Sequence, residues 1–129
     1  MEKRRTALWF LAAAALTAQA LACNEGTKLE SPRFVVAYKA EPIEVARHFA
    51  LEVSVCPKPG QPQPEAVKVD AHMPEHRHGM NYRARVFRKA DGIYVAEGLL
   101  FHMPGLWQLM FDVDRGGRME RLTTDIDLE

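Results

Sequence analysis

From Arg33 onward the chain alternates apolar and polar positions in short runs, a period of two rather than the 3.6 of an amphipathic helix. The runs predict strands over Arg33 to Ala40, His48 to Val55, Ala66 to His72, Tyr82 to Arg88, Ile93 to Gly98, Leu106 to Val113 and Met119 to Leu128. Turn chemistry separates them: Glu41-Pro42, Pro57-Lys58-Pro59-Gly60, Pro74, Asp91-Gly92, Pro104-Gly105 and Gly116-Gly117. The alternation is clearest at the end, where Trp107, Leu109, Phe111 and Val113 and then Leu122, Thr124, Ile126 and Leu128 mark one face of a hairpin. About seven short strands and no persuasive helix predict an all-β protein, an immunoglobulin-like antiparallel β-sandwich. The Pro-rich stretch from Pro57 to Pro64 reads as a loop inside that domain, since all seven strands are needed to close it.

The first 22 residues follow another pattern. A basic start, Lys3-Arg4-Arg5, leads into a nearly unbroken apolar run from Ala7 to Ala22 that ends in Ala20-Leu21-Ala22, the small residues a signal peptidase reads. The expected organisation is a signal peptide over 1–22, an N-terminal tether over 23–32 and the sandwich over 33–129. Cys23 directly follows the cleavage site, which leaves two fates open: a lipoprotein acylated on Cys23, or a disulfide with Cys56 in an oxidising compartment. Either way the domain is expected to work outside the cytoplasm, in the periplasm or anchored facing it.

Composition narrows the function classes. The whole chain carries 17 basic and 17 acidic side chains. Without residues 1–22, which hold Glu2 and three cations, 107 residues remain with 14 basic and 16 acidic groups. No basic stripe tracks a phosphate backbone, and Arg83, Arg85, Arg88 and Lys89 read as a solvated strand face, so a nucleic-acid partner is not expected. Neither a zinc-protease HExxH nor a nucleophile GxSxG occurs, and Pro74 between His72 and His76 spoils a helical ligand pair. A sandwich this small also has little core to give to an internal active site, so an enzyme is not expected.

The distinctive chemistry is histidine and methionine. One cluster, AHMPEHRHGMN, supplies His72, Met73, His76, His78 and Met80; a second, FHMPG, supplies His102 and Met103. Imidazole and thioether are ligands that copper favours, the soft sulfur selecting Cu(I) over zinc. In an antiparallel sandwich every second connection lies at the same end, which gathers the segments 73–81 and 99–105 and brings His48 to the same rim. Cys56 falls at the opposite end, near the start of the first strand and Cys23. Alternation places Met73 with Val67, Val69 and Ala71 on the buried face and His72 with Lys68 and Asp70 on the other. The candidate metal ligands are therefore His76, His78 and His102, with Met80 or Met103 as sulfur donor and His72 in reserve. Asp70 or Glu75 is the expected carboxylate to hold a ligand imidazole in its tautomer.

The strings VKVDAHMPEHRHGMNYRARV and GIYVAEGLLFHMPGLWQLMFDV, with the closing ERLTTDIDLE, resemble the YtkA-like family of small exported bacterial proteins, relatives of FixH-type accessory proteins. The resemblance spans about Leu51 to Leu128 and implies a periplasmic or lipid-anchored immunoglobulin-like domain associated with cytochrome oxidase assembly. The expected function is an exported copper-binding accessory protein, a carrier or chaperone that passes the ion to a membrane or periplasmic acceptor; zinc is the less suited metal. The alternative is a metal-free periplasmic interaction module assisting a membrane complex such as a cytochrome oxidase, with Leu99, Leu100, Phe101, Leu106 and Trp107 as its apolar contact strip, although Phe101 and Trp107 read more readily as core.

Overall fold

A computed structural model describes residues 21–129; the expected leader lies outside the described residues except for Leu21 and Ala22. Nine strands follow in order: β1 (Thr27–Glu30), β2 (Phe34–Ala40), β3 (His48–Pro57), β4 (Ala66–Met73), β5 (His78–Gly79), β6 (Arg85–Ala90), β7 (Ile93–Leu100), β8 (Gly105–Arg115) and β9 (Arg118–Leu128). They form two antiparallel sheets, ordered β1-β2-β3-β7-β6 and β5-β4-β8-β9. Leaving out the short β1 and β5, this is the four-on-three strand arrangement of an immunoglobulin constant-type sandwich, as the alternation predicts.

Seven strands lie where the pattern puts them, with ends moved by a few residues. The largest shift is in β6, which begins at Arg85 rather than Tyr82; Tyr82 instead sits exposed in the crossing from one sheet to the other. Two strands are additions. The segment Thr27–Glu30, read from sequence as tether, pairs with β2 residue for residue from Thr27↔Tyr38 to Glu30↔Val35. Its own residues are mostly exposed, so the β2 edge rather than an apolar pattern makes it a strand.

The core forms between the inward faces. Phe34, Val36, Leu51, Val53 and Val55 from one sheet meet Val69, Ala71, Met73, Trp107, Leu109, Phe111 and Val113 from the other, all essentially buried. Tyr38 and Phe111 bridge the layers with ring centroids 5.1 Å apart. The β8–β9 turn is tight: Arg115 pairs with Arg118, and both Gly116 and Gly117 have positive φ (63° and 72°), the backbone a two-residue hairpin loop with matching twist requires.

Strand parity sorts the two ends. At one end Cys23 and Cys56 are disulfide-bonded with Cα atoms 6.3 Å apart, and Cys23 is buried against the start of β2. At that same end Arg33, just before β2, reaches across to the other sheet. Its backbone N–H donates to Glu120 Oε1 (3.1 Å), its Nε to Glu120 Oε2, and its Nη2 to the Arg118 carbonyl (2.8 Å). Both side chains of this ion pair are largely buried. Burial alone would raise the Glu120 carboxyl, but hydrogen bonds from Arg33, Ser31 and the Arg33 backbone, with the Arg33 charge, together hold it below its ordinary value of 4.5. A depressed carboxylate contributes stability that is present above its unfolded-state value and is lost as pH falls through the folded-state value. Glu120→Ala, which leaves the Arg33 guanidinium buried without its carboxylate, is expected to cost about 3 kcal/mol at neutral pH. The variant's stability should also depend less on pH below 4.5 than the wild type's, which chemical denaturation at a series of pH values measures.

Candidate functional site

The other end of the sandwich carries the histidines. After β4 the chain turns over Pro74, Glu75, His76 and Arg77 and returns as the two-residue β5, with Met73 paired to His78 and His72 to Gly79. The Met73 carbonyl accepts from the N–H groups of His76 (3.2 Å) and Arg77 (3.0 Å), and Arg77 closes the turn in the left-handed region at φ 54°. That conformation costs a non-glycine residue of order 1–2 kcal/mol. It puts His76 and His78 on either side of a sharp turn.

The second histidine loop runs from the end of β7 to Gly105, and parity brings it to the same rim. The Ala46 N–H, from the β2–β3 connection, donates to the Phe101 carbonyl (2.8 Å), which ties a third loop to this end. Gly105 is needed here because its φ is 123° and a Cβ would stand 2.8 Å from the Met73 methyl. Below the loop Trp107 is fully buried and stacked on Phe101, with centroids 4.6 Å apart and planes 6° from parallel. The indole N–H donates to the Met103 carbonyl (3.0 Å), which anchors the HMPG segment to β8.

On this floor the imidazoles meet. The rings of His78 and His102 are 5.1 Å apart and those of His76 and His78 are 5.8 Å apart. His78 and His102 both set their edges to Trp107, at 6.0 and 5.3 Å. An ion bound at about 2 Å by one nitrogen from each of two imidazoles separates the ring centres by roughly 4.5–6 Å, so both distances suit a shared ion. The His78 Nδ1 lies 3.2 Å from the Gly79 carbonyl, which can only accept. In the tautomer that uses this contact the proton is on Nδ1, which leaves Nε2 as the donor nitrogen for an ion. His102 Nδ1 is buried with no hydrogen-bond partner among the described residues, an unmet polar group that a ligand would satisfy. Among the described residues no three His, Cys, Asp or Glu side chains form a ready-made metal-binding group.

Several candidates stand elsewhere. Residues directly opposed in an antiparallel pair share a face, so His78 lies on the inward side with Met73, whereas His72 and Gly79 point outward. His72 is thus separated from the rim by the sheet itself; its Nδ1 instead lies 3.2 Å from the Met110 sulfur. Met110 is the residue that sequence reasoning passes over, although it interrupts the polar outward series Gln108, Asp112, Asp114. His48 reaches the correct end but packs against Tyr82, ring centroids 4.9 Å apart. Met80 and Met103 are partly buried against the core. Neither expected carboxylate orients His78, since that contact goes to a backbone carbonyl, and Asp70 accepts from the Ala71 N–H. The apolar strip expected as a docking surface is mostly core: Leu99, Phe101 and Trp107 are wholly inaccessible and Leu100 nearly so. An open groove of about 500 Å³ lies away from the histidines, between the free edges of β4 and β6, where Arg121 and Asp112 are already paired through two hydrogen bonds.

No family model matches this sequence, and no curated protein does. Among solved structures the fold is similar to that of a DUF4426 family protein from Pseudomonas aeruginosa PAO1. The TM-score is 0.55 at 15% identity, with 79% of this chain and 96% of that one covered. At this identity the likeness extends to the β-sandwich and no further.

Proposed function

We propose that this protein is an exported copper-binding accessory module that holds its cargo ion at the histidine end of the sandwich. The observation that carries the reading is the run of three imidazoles, His76, His78 and His102, at 5.8 and 5.1 Å, with one buried nitrogen of His102 unpartnered. His76 and His102 sit on turns and His78 on the two-residue β5, and His76 and His78 flank a strained residue. A site that closes around an ion by a small movement of such a turn suits uptake and release better than permanent storage. The half-buried Met80 and Met103 flank the two loops as the sulfur donors, which favours copper over zinc.

Export is supported by the disulfide, which persists in oxidising compartments. The sulfur of Cys23 can carry a lipid thioether or a disulfide but not both, so this reading places an unlipidated chain in the periplasm. Its relationship to the YtkA-like proteins rests on the HMPEHRHGM and FHMPG strings, and a membrane or periplasmic acceptor for the ion is the partner such a carrier requires.

The test is competition for Cu(I) against a chelator of known affinity, using the purified protein with its disulfide intact. Replacing His76, His78 and His102 together by alanine should remove about one equivalent of bound copper relative to wild type. Circular dichroism on the same variant checks that it remains folded, because the rings of His78 and His102 rest on Trp107. Equal copper uptake by the triple variant and the wild type would sink the proposal.

A further inference from the structure

The outer face of the β5-β4-β8-β9 sheet contains a contact that the histidine rim does not explain. Along β8 the inward positions Trp107, Leu109, Phe111 and Val113 are fully buried, and the outward positions Gln108, Asp112 and Asp114 are polar and partly exposed. Met110 belongs to the outward series, yet only 8% of it is exposed. Across the strand pair Asp70 faces Met110 and His72 faces Gln108, so Asp70, His72 and Met110 occupy one outward patch. There the His72 Nδ1 lies 3.2 Å from the Met110 sulfur.

Hydrogen bonding is a poor reason for this pairing. A thioether has no proton and accepts weakly, whereas water would satisfy the half-exposed imidazole better. Soft-ion chemistry accounts for it more fully. When the proton resides on Nε2, Nδ1 and the sulfur are two lone-pair donors within reach of one ion. With bonds of about 2.0 Å to nitrogen and 2.3 Å to sulfur, a 3.2 Å separation subtends an angle of about 95° at the ion. That angle fits a three- or four-coordinate ion and is far from linear two-coordination, so further donors are needed, which water beside the half-exposed His72 can supply.

We propose that His72 and Met110 supply the protein donors of a second soft-metal site for a monovalent cation such as Cu(I), on the opposite side of the sheet from the histidine rim. The site does not depend on the rim. β4 serves both faces, with His72 outward and the adjacent Met73 inward opposite His78.

The experiment uses Ag(I), a redox-inert soft ion, as the probe, and follows methionine methyl resonances by NMR in protein labelled at those carbons. Ag(I) should shift the Met110 methyl in the wild type and in the His76, His78, His102 triple-alanine variant, and should leave it unmoved in His72→Ala. Met110→Leu, which conserves volume, should bind one equivalent of Ag(I) fewer while melting near the wild-type temperature. A Met110 methyl unmoved by excess Ag(I) in the wild type would overturn the proposal. So would a shift that survives His72→Ala, or one that vanishes in the triple variant. A triple variant that keeps its full copper uptake while Met110 still responds through His72 would count against the rim alone.

Discussion

Replacing Trp107 by alanine is expected to lower stability by about 4 kcal/mol, toward the upper part of the range for a large core aromatic. Three interactions are lost together. The stack on Phe101, itself packed edge-on against Phe49 at 5.0 Å, leaves a void at the centre of the upper core. The Met103 carbonyl loses the indole N–H that anchors the HMPG loop. His78 and His102 lose the surface against which both rings are set. A domain of this size loses roughly 4 °C of melting temperature per kcal/mol, so a fall of about 15 °C by circular dichroism is the expected result. Trp107→Phe separates the causes. It keeps most of the packing but leaves the Met103 carbonyl unpaired, at a cost of about 1–2 kcal/mol. A fall of only a few degrees for the alanine variant would mean that the floor under the histidines is not the packed element described.

Removing the disulfide should cost about 3.5–4 kcal/mol, the chain-entropy value for a loop closed over 33 residues. The bridge ties the segment before β1 to the end of β3, so its loss frees the N-terminal residues and leaves β1 held by noncovalent contacts, chiefly its pairing with β2. Cys23→Ala and Cys56→Ala should each show the full loss, and the double variant no more than either, because a single bond is at stake. Treating the wild type with a reductant should reproduce the same drop. Labelling of both thiols by an alkylating reagent without prior reduction would contradict the bridge. The Arg33–Glu120 clasp stands at the same end, so neutralising Glu120 in a reduced protein should have a larger effect than the sum of the two changes.

The strands built on strong alternation were legible from the residues alone. Val67, Val69, Ala71 and Met73 point one way and Lys68, Asp70 and His72 the other because a pleated strand has no other option. β1 and β5 were not legible. Thr27–Glu30 is polar and only four residues long, and His78–Gly79 is two; each is a strand because a neighbouring edge pairs with it. The meeting of the two histidine loops was also legible, since the parity of antiparallel connections places segments 73–81 and 99–105 at one end. Parity brings His72 to the rim and alternation already sets it on the face away from Met73, which is why it stands only in reserve beside His76 and His78. Leu99 and Leu100 read as a possible contact strip because an apolar run at a strand end looks alike whether it turns inward or outward.

The sequence by itself determined that this is an antiparallel β-sandwich, that its histidines cluster at one end and its cysteines at the other, and which residues line the core. Period-two alternation and turn residues act locally, and strand counting carries that local information from end to end. Only the tertiary structure decided which side chains meet. The ring distances among His76, His78 and His102, the unpartnered nitrogen of His102, the Trp107 floor and the contact between His72 and Met110 join residues 24 to 38 positions apart or lying across a turn. Such contacts depend on strand register and on the turn at Arg77, neither of which is encoded in any single segment. Each is set by the packing of two sheets whose other residues must find their places first.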